Sequence, residues 1–78
     1  MGKISENETK EIAIIGDYIT LGQLLKFARI VGEGGMAKSY LASHDVLVNQ
    51  EKENRRGRKL RSGDIVSLAE GTFKIVSR

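Results

Sequence analysis

The segment Ile19-Thr20-Leu21-Gly22-Gln23-Leu24 constrains the fold of this chain more than any other. Thr20 followed three residues later by Gln23 is a capping box: the hydroxyl takes the third helical amide, and the glutamine reaches back to the cap amide. Ile19 and Leu24 stand where the two halves of a hydrophobic staple belong. From there Leu21, Leu24, Leu25, Ala28 and Val31 recur at i, i+3, i+4, i+7 spacing and form one apolar stripe. Gln23, Lys26 and Arg29 lie on another face. The spacing predicts a helix over 21–31 that buries leucines and turns two cations to solvent, with Gly32 as C-cap. Gly32-Glu33-Gly34-Gly35 reads as a tight connection, and a second helix is expected from Gly35 to Ser43. Met36, Ala37, Tyr40 and Leu41 give it an apolar stripe, so the two helices form a hairpin.

On either side of this hairpin the pattern is that of strands. Glu11 to Gly16 is a short β-rich run, expected as a strand after a loose start over residues 1–10. After Asp45 the period becomes two: Val46 and Val48 alternate with Leu47, and Asn49-Gln50 reads as a turn. Leu60 leads into Arg61-Ser62-Gly63-Asp64, a turn of the kind glycine and aspartate favour. Ile65 to Leu68 is a strand, Glu70-Gly71 a turn, and Thr72 to Val76 a last strand with Phe73 and Ile75 on one face. The expected architecture is α+β, a helix pair on a small, mostly antiparallel sheet. Residues 11–78 form one domain, because 78 residues leave no room for a second.

Such a domain buries roughly 60–65% of its unfolded surface, which leaves little for an interior catalytic cavity. The chain has no cysteine, which removes disulfides, thiolate metal sites and thiol nucleophiles. Its apolar runs are far shorter than the roughly 20 residues that span a bilayer, and its polar first residues lack the apolar core of a signal peptide. A cytoplasmic protein without membrane association is the default. The single histidine, His44, has neither an evident orienting carboxylate nor a nucleophile nearby in sequence and reads as a helix-end residue. One histidine and no cysteine cannot build a zinc site, so no metal or cofactor is expected.

Charge is distributed unevenly. Residues 1–24 carry two lysines against four acids, whereas residues 25–78 carry eleven cations against six acids. Arg55, Arg56, Arg58, Lys59 and Arg61 fall within seven residues that contain no acid. Such a block repels itself unless an anion meets it, and arginine binds phosphate through a planar, bidentate fork. A solvated loop is the alternative, but the arginine bias favours a polyanion.

Laid in order, these segments resemble an S4 RNA-binding domain from Leu21 to Leu68. Leu21 and Leu25 fit the paired leucines of its first helix, and Ala37-Lys38 the Ala-Arg pair of its second. Val46-Leu47-Val48-Asn49 fits its Val-x-Val-Asn strand, and Leu60 with Gly63-Asp64 fits its Val-x-Pro-Gly-Asp turn. Three stretches are more similar to the small stand-alone bacterial S4 proteins of the YaaA type: Ile19 to Gln23, Gly34 to Lys38, and Glu53-Asn54-Arg55-Arg56-Gly57-Arg58-Lys59. The resemblance implies the S4-like (alpha-L) fold with an added N-terminal strand, and contact with ribosomal RNA in ribosome assembly. It also has departures. Thr20, Gly22, Phe27 and Glu33-Gly34 stand where many S4 domains carry charged RNA-facing residues, Gln50 replaces a turn glycine, and Arg56-Gly57 replaces a Pro-Ser. Lys38 alone keeps a basic position of the general pattern.

The expected function is therefore a non-enzymatic RNA-binding protein, acting as a monomer on structured RNA, with ribosomal subunits or assembly factors as further partners. The expected surface comprises Lys26, Arg29, Lys38, Arg55, Arg56, Arg58, Lys59 and Arg61. Gly34 and Gly35 would add free amides that approach a phosphate, although a hairpin turn accounts for these glycines as well. Tyr40 falls on an apolar stripe and is expected in the core, Tyr18 is open, and no exposed aromatic platform is evident. Recognition of RNA backbone and shape is expected rather than base reading. A protein adaptor docking an acidic partner is the alternative. A duplex-DNA reader is disfavoured, because no helix begins with base-reading side chains.

Overall fold

The computed structural model describes residues 9–33 and 35–78. In chain order the elements are β1 (Lys10–Ile14), β2 (Ile19–Thr20), α1 (Leu21–Phe27), α2 (Met36–Ser43), β3 (Leu47–Val48), β4 (Glu51–Lys52), β5 (Lys59–Leu60), β6 (Ile65–Leu68) and β7 (Gly71–Ser77). Five strands form one sheet in the order β1-β7-β6-β3-β4, and β2 pairs with β5 as a separate ribbon. Every pairing is antiparallel except that of β1 with β7, which run parallel. The expected loose start over 1–10 lies outside the described residues except for Thr9 and Lys10, and Lys10 already pairs with Phe73.

The core is built by the two periodicities read from the sequence. Leu21, Leu24 and Leu25 of α1 are fully buried, as are Ala37 of α2 and Val48, Leu60, Val66 and Ile75 of the strands, or within about 1% of it. Phe73 and Ile75 point inward from β7 while Lys74 is exposed, as alternation along a half-buried strand requires. Tyr40 is in the core as expected, and its hydroxyl donates to the Glu70 carboxylate. Burial, and after it the Glu70 carboxylate, push this phenol up to about 12. Met36 does not join the core: it is 52% exposed at the start of α2.

Helix α1 begins where the capping box places it. The Thr20 hydroxyl accepts the Gln23 amide at 3.2 Å, and the Thr20 amide donates to Gln23 Oε1 at 2.9 Å. It ends earlier than the apolar stripe predicts, at Phe27 with Ala28 as C-cap, so Gly32 is not the cap. The Ile30 amide donates to the Leu25 carbonyl and the Arg29 amide to the Lys26 carbonyl. These two bonds make a Schellman motif with Arg29 at its left-handed position, φ +62°. The stripe misled because Ile30 and Val31 still reach the core after the helix has stopped.

Two motif segments distant in sequence interlock across the sheet. Asn49 and Gln50, at φ +53° and +73°, form a two-residue hairpin turn between β3 and β4. The Asn49 side chain accepts the Ile65 amide and donates to Asp64 Oδ1, while Asp64 Oδ2 accepts the Arg61 amide. The Asn of one motif thus holds the Asp of the other, and together they fix the exit from β5 into β6.

A left-handed backbone costs a non-glycine residue roughly 1–2 kcal/mol, offset in part by the roughly 0.5–1 kcal/mol of chain entropy that glycine loses on folding. Arg29→Gly is therefore expected to raise stability by a few tenths to about 1 kcal/mol, measured by urea unfolding.

Candidate nucleic-acid interface

The arginine-rich segment does not hang free. Its backbone is anchored to the start of α1: the Leu21 amide donates to the Arg58 carbonyl at 2.8 Å and the Gly22 amide to the Arg56 carbonyl at 2.9 Å. Thr20 and Leu60-Lys59 continue the attachment through the β2–β5 ribbon. Gly22 suits this approach, because a Cβ on it would stand 3.3 Å from both the Cβ and the carbonyl oxygen of Arg56, close enough that the loop would have to shift by a few tenths of an ångström. With the capping box, these bonds satisfy the amides of the first turn of α1.

The other anchor is Glu53, a buried acid at 8% exposure. Its Oε2 accepts the Asn54 and Arg55 amides and Arg55 Nε, and its Oε1 accepts Arg55 Nη2 and Arg58 Nη1, all at 2.9–3.1 Å. Hydrogen bonds from Arg55, helped by Arg58 and opposed by burial, hold this carboxyl down at about 2, against an ordinary 4.5. The block that contains no acid in sequence therefore wraps around one that precedes it by two residues. Arg55 and Arg58 serve the loop, and Arg58 is only 31% exposed along its side chain.

The remaining cations are arranged as follows. Arg56, exposed at the tip of the loop, lines a shallow depression with Gln23 and Lys26 of α1. Gly57, Lys59 and Arg61 line the next one, beside Arg55 and Arg58. Lys59 Nζ lies 5.0 Å and Arg61 Cζ 5.7 Å from the centre of the Tyr18 ring, a pair of cation–π contacts. Tyr18 in turn borders a groove with Lys26 and Arg29. Lys26, Arg29, Arg56, Lys59 and Arg61 are all exposed along this continuous band. Arg29 reaches it from the turn after α1 and not, as the helical spacing suggested, from the helix face.

Lys38 is exposed on α2, one residue beyond Ala37, whose Cβ adjoins Gly22, but it lines none of these depressions. Gly35 is the N-cap of α2, and Gly34 lies outside the described residues. His44 caps the other end of α2, its ring stacked on Tyr40 at 4.1 Å and its Nδ1 close to the Tyr40 carbonyl and the Ser43 hydroxyl. Its neighbours are those of a helix-end residue. Sequence reasoning placed Phe27 only as a departure from the charged S4 pattern and missed that its ring is 64% exposed; it missed Ile15, 80% exposed, altogether. Phe27 falls off the leucine stripe, and that spacing was the available signal. No helix among the described residues is long and apolar enough to cross a membrane.

The model of the S4 domain family matches residues 12–76. The chain belongs to the S4 domain family. It is also 52% identical over 67 residues to a Bacillus subtilis (strain 168) protein called "Probable ribosome maturation protein RlbA", a match that covers 85% of this chain and 94% of that protein. The family expected from the ordered leucine, Val-x-Val-Asn and Gly-Asp segments is the one found, and the α+β architecture is that expected of it.

The Glu53 anchor gives a prediction with a definite sign. A carboxyl held below its ordinary value contributes stability that is present above about 4.5 and lost as pH falls through about 2. Glu53→Gln is expected to cost about 2 kcal/mol at pH 7. The gap from wild type should close progressively below pH 4, as read by urea unfolding across pH.

Proposed function

We propose that this protein is a non-enzymatic RNA-binding module that docks structured RNA, ribosomal RNA during ribosome maturation, on the band formed by Lys26, Arg29, Arg56, Lys59 and Arg61. The observation that carries this reading is the anchoring of the arginine loop onto the start of α1, which collects cations from distant parts of the sequence along one surface. Membership of the S4 family and the likeness to a protein named for ribosome maturation give the partner class. Phosphates supply the charge that such a band needs, and the exposed arginines offer them bidentate donors. Lys38 adds to the edge of the surface. Arg55 and Arg58 hold the loop through Glu53, and what charge they have left reinforces the field around it. The protein acts in the cytoplasm as a monomer.

Salt dependence tests the reading. With five phosphate contacts the log of the association constant should fall against log salt with a slope of roughly −3.5 to −4.5. Neutralising Lys59 and Arg61 together should flatten the slope by about 1.5 and leave the far-UV CD spectrum unchanged. RNA affinity indifferent to salt would refute the proposal. A pull-down of ribosome-associated proteins that survives RNase treatment would instead favour a protein adaptor.

A further inference from the structure

The groove at the end of the band is unlike the rest of it. It holds about 660 Å³ between the β1–β2 connection and the outer face of α1. Ile15 and Phe27 present apolar surface there, Tyr18 closes one side, and Lys26 and Arg29 bring charge. No acid lines it. Large apolar side chains at 64% and 80% exposure are costly to leave in water unless something covers them. The cations specify the charge of what does.

Two further details narrow the occupant. Gln23 uses its carbonyl oxygen in the capping box, which fixes the side chain and leaves its amide nitrogen without an acceptor among the described residues. Arg29 occupies a left-handed turn position where glycine is the favoured residue, so the chain keeps a cation here against its local backbone preference. An exposed aromatic ring, a fixed amide donor beside it and two cations match the three parts of a nucleotide: the flat face of a base, its polar edge and its phosphate.

We propose that this groove is a subsite for one unpaired nucleotide of the bound RNA, with the base stacked on Phe27, its edge at the Gln23 amide and its phosphate between Lys26 and Arg29. The subsite rests on the RNA-binding reading above and sharpens it. The band takes the backbone of paired RNA, and the groove selects a stem interrupted by a bulge or a loop over a continuous one. Base–aromatic stacking is tolerant of base identity, so the selection is for an unpaired position and not for a sequence.

The test compares two RNA hairpins that differ only in a single bulged adenosine in the stem. Wild type is expected to bind the bulged stem about tenfold or more tighter, within the range one stacked base supplies. Phe27→Ala should reduce that preference below about twofold, leave affinity for the uninterrupted stem unchanged, and keep the far-UV CD spectrum. Phe27→Leu, which keeps apolar area without a π face, should behave like Phe27→Ala, and Phe27→Trp should restore the preference. Arg29→Gly should weaken binding of the bulged stem even though it stabilises the fold. Equal binding of the two stems by wild type, or a preference that survives in Phe27→Ala, would overturn the subsite and leave the RNA-binding function standing. If wild type binds neither stem, the function fails and the subsite with it. A Phe27→Ala effect confined to a protein partner would also overturn the subsite, and would assign the groove to protein docking.

Discussion

The buried carboxylate of Glu53 is the interaction on which the rest of the surface depends. Five hydrogen bonds converge on it, from two backbone amides and two guanidinium groups. A buried charge is tolerable only when it is paired and hydrogen-bonded to this degree. The same bonds bend the chain so that the carbonyls of Arg56 and Arg58 face the first turn of α1. One acid thereby does two things. It offsets the repulsion within an arginine-rich loop, and it fixes the loop backbone so that the remaining cations project from a defined surface. Without it the run from Arg55 to Arg61 would keep its backbone bonds to the start of α1 but lose the carboxylate that offsets its self-repulsion.

The second constraint is geometric. Seventy-eight residues give one small core, and the same elements that build it must also present the surface. Helix α1 buries Leu21, Leu24 and Leu25 and turns Gln23, Lys26 and Phe27 outward, so each of its turns serves both purposes. Gly22 lies between these faces, where the absence of a side chain lets the loop approach within hydrogen-bonding distance. Rigidity of this kind suits recognition, since side chains on a helix and on an anchored loop lose less entropy on binding than side chains on a mobile one.

Much of this was legible in the sequence, for physical reasons that can be stated residue by residue. The Thr20–Gln23 capping box is a local interaction, complete within four residues, and it appears where it was read. The strand over Ile65 to Leu68 and the inward set of Phe73 and Ile75 follow from period-two alternation, which depends only on neighbours in the chain. The parts that were not legible depend on contacts distant in sequence. The parallel pairing of β1 with β7 joins the two ends of the described chain. The ribbon of β2 with β5 has two residues in each strand, too few to show a period. The early end of α1 was hidden because a Schellman turn at Arg29 carries the apolar pattern onward without the helix. Of the expected surface residues, Lys26, Arg29, Arg56, Lys59 and Arg61 fall along one band, and the pairing of Arg55 and Arg58 with Glu53 became visible only in three dimensions.

The central claim is that the anchored loop and α1 form one surface for RNA. Mapping backbone amide chemical shifts on addition of a short A-form RNA stem tests it most directly. The account predicts that perturbations gather on residues 22–29 and 55–61, with Ile65 to Leu68 and the outer edge at β4 unmoved. Shifts concentrated on β1 or β4, or spread evenly over the molecule while α1 and the loop stay unchanged, would contradict it.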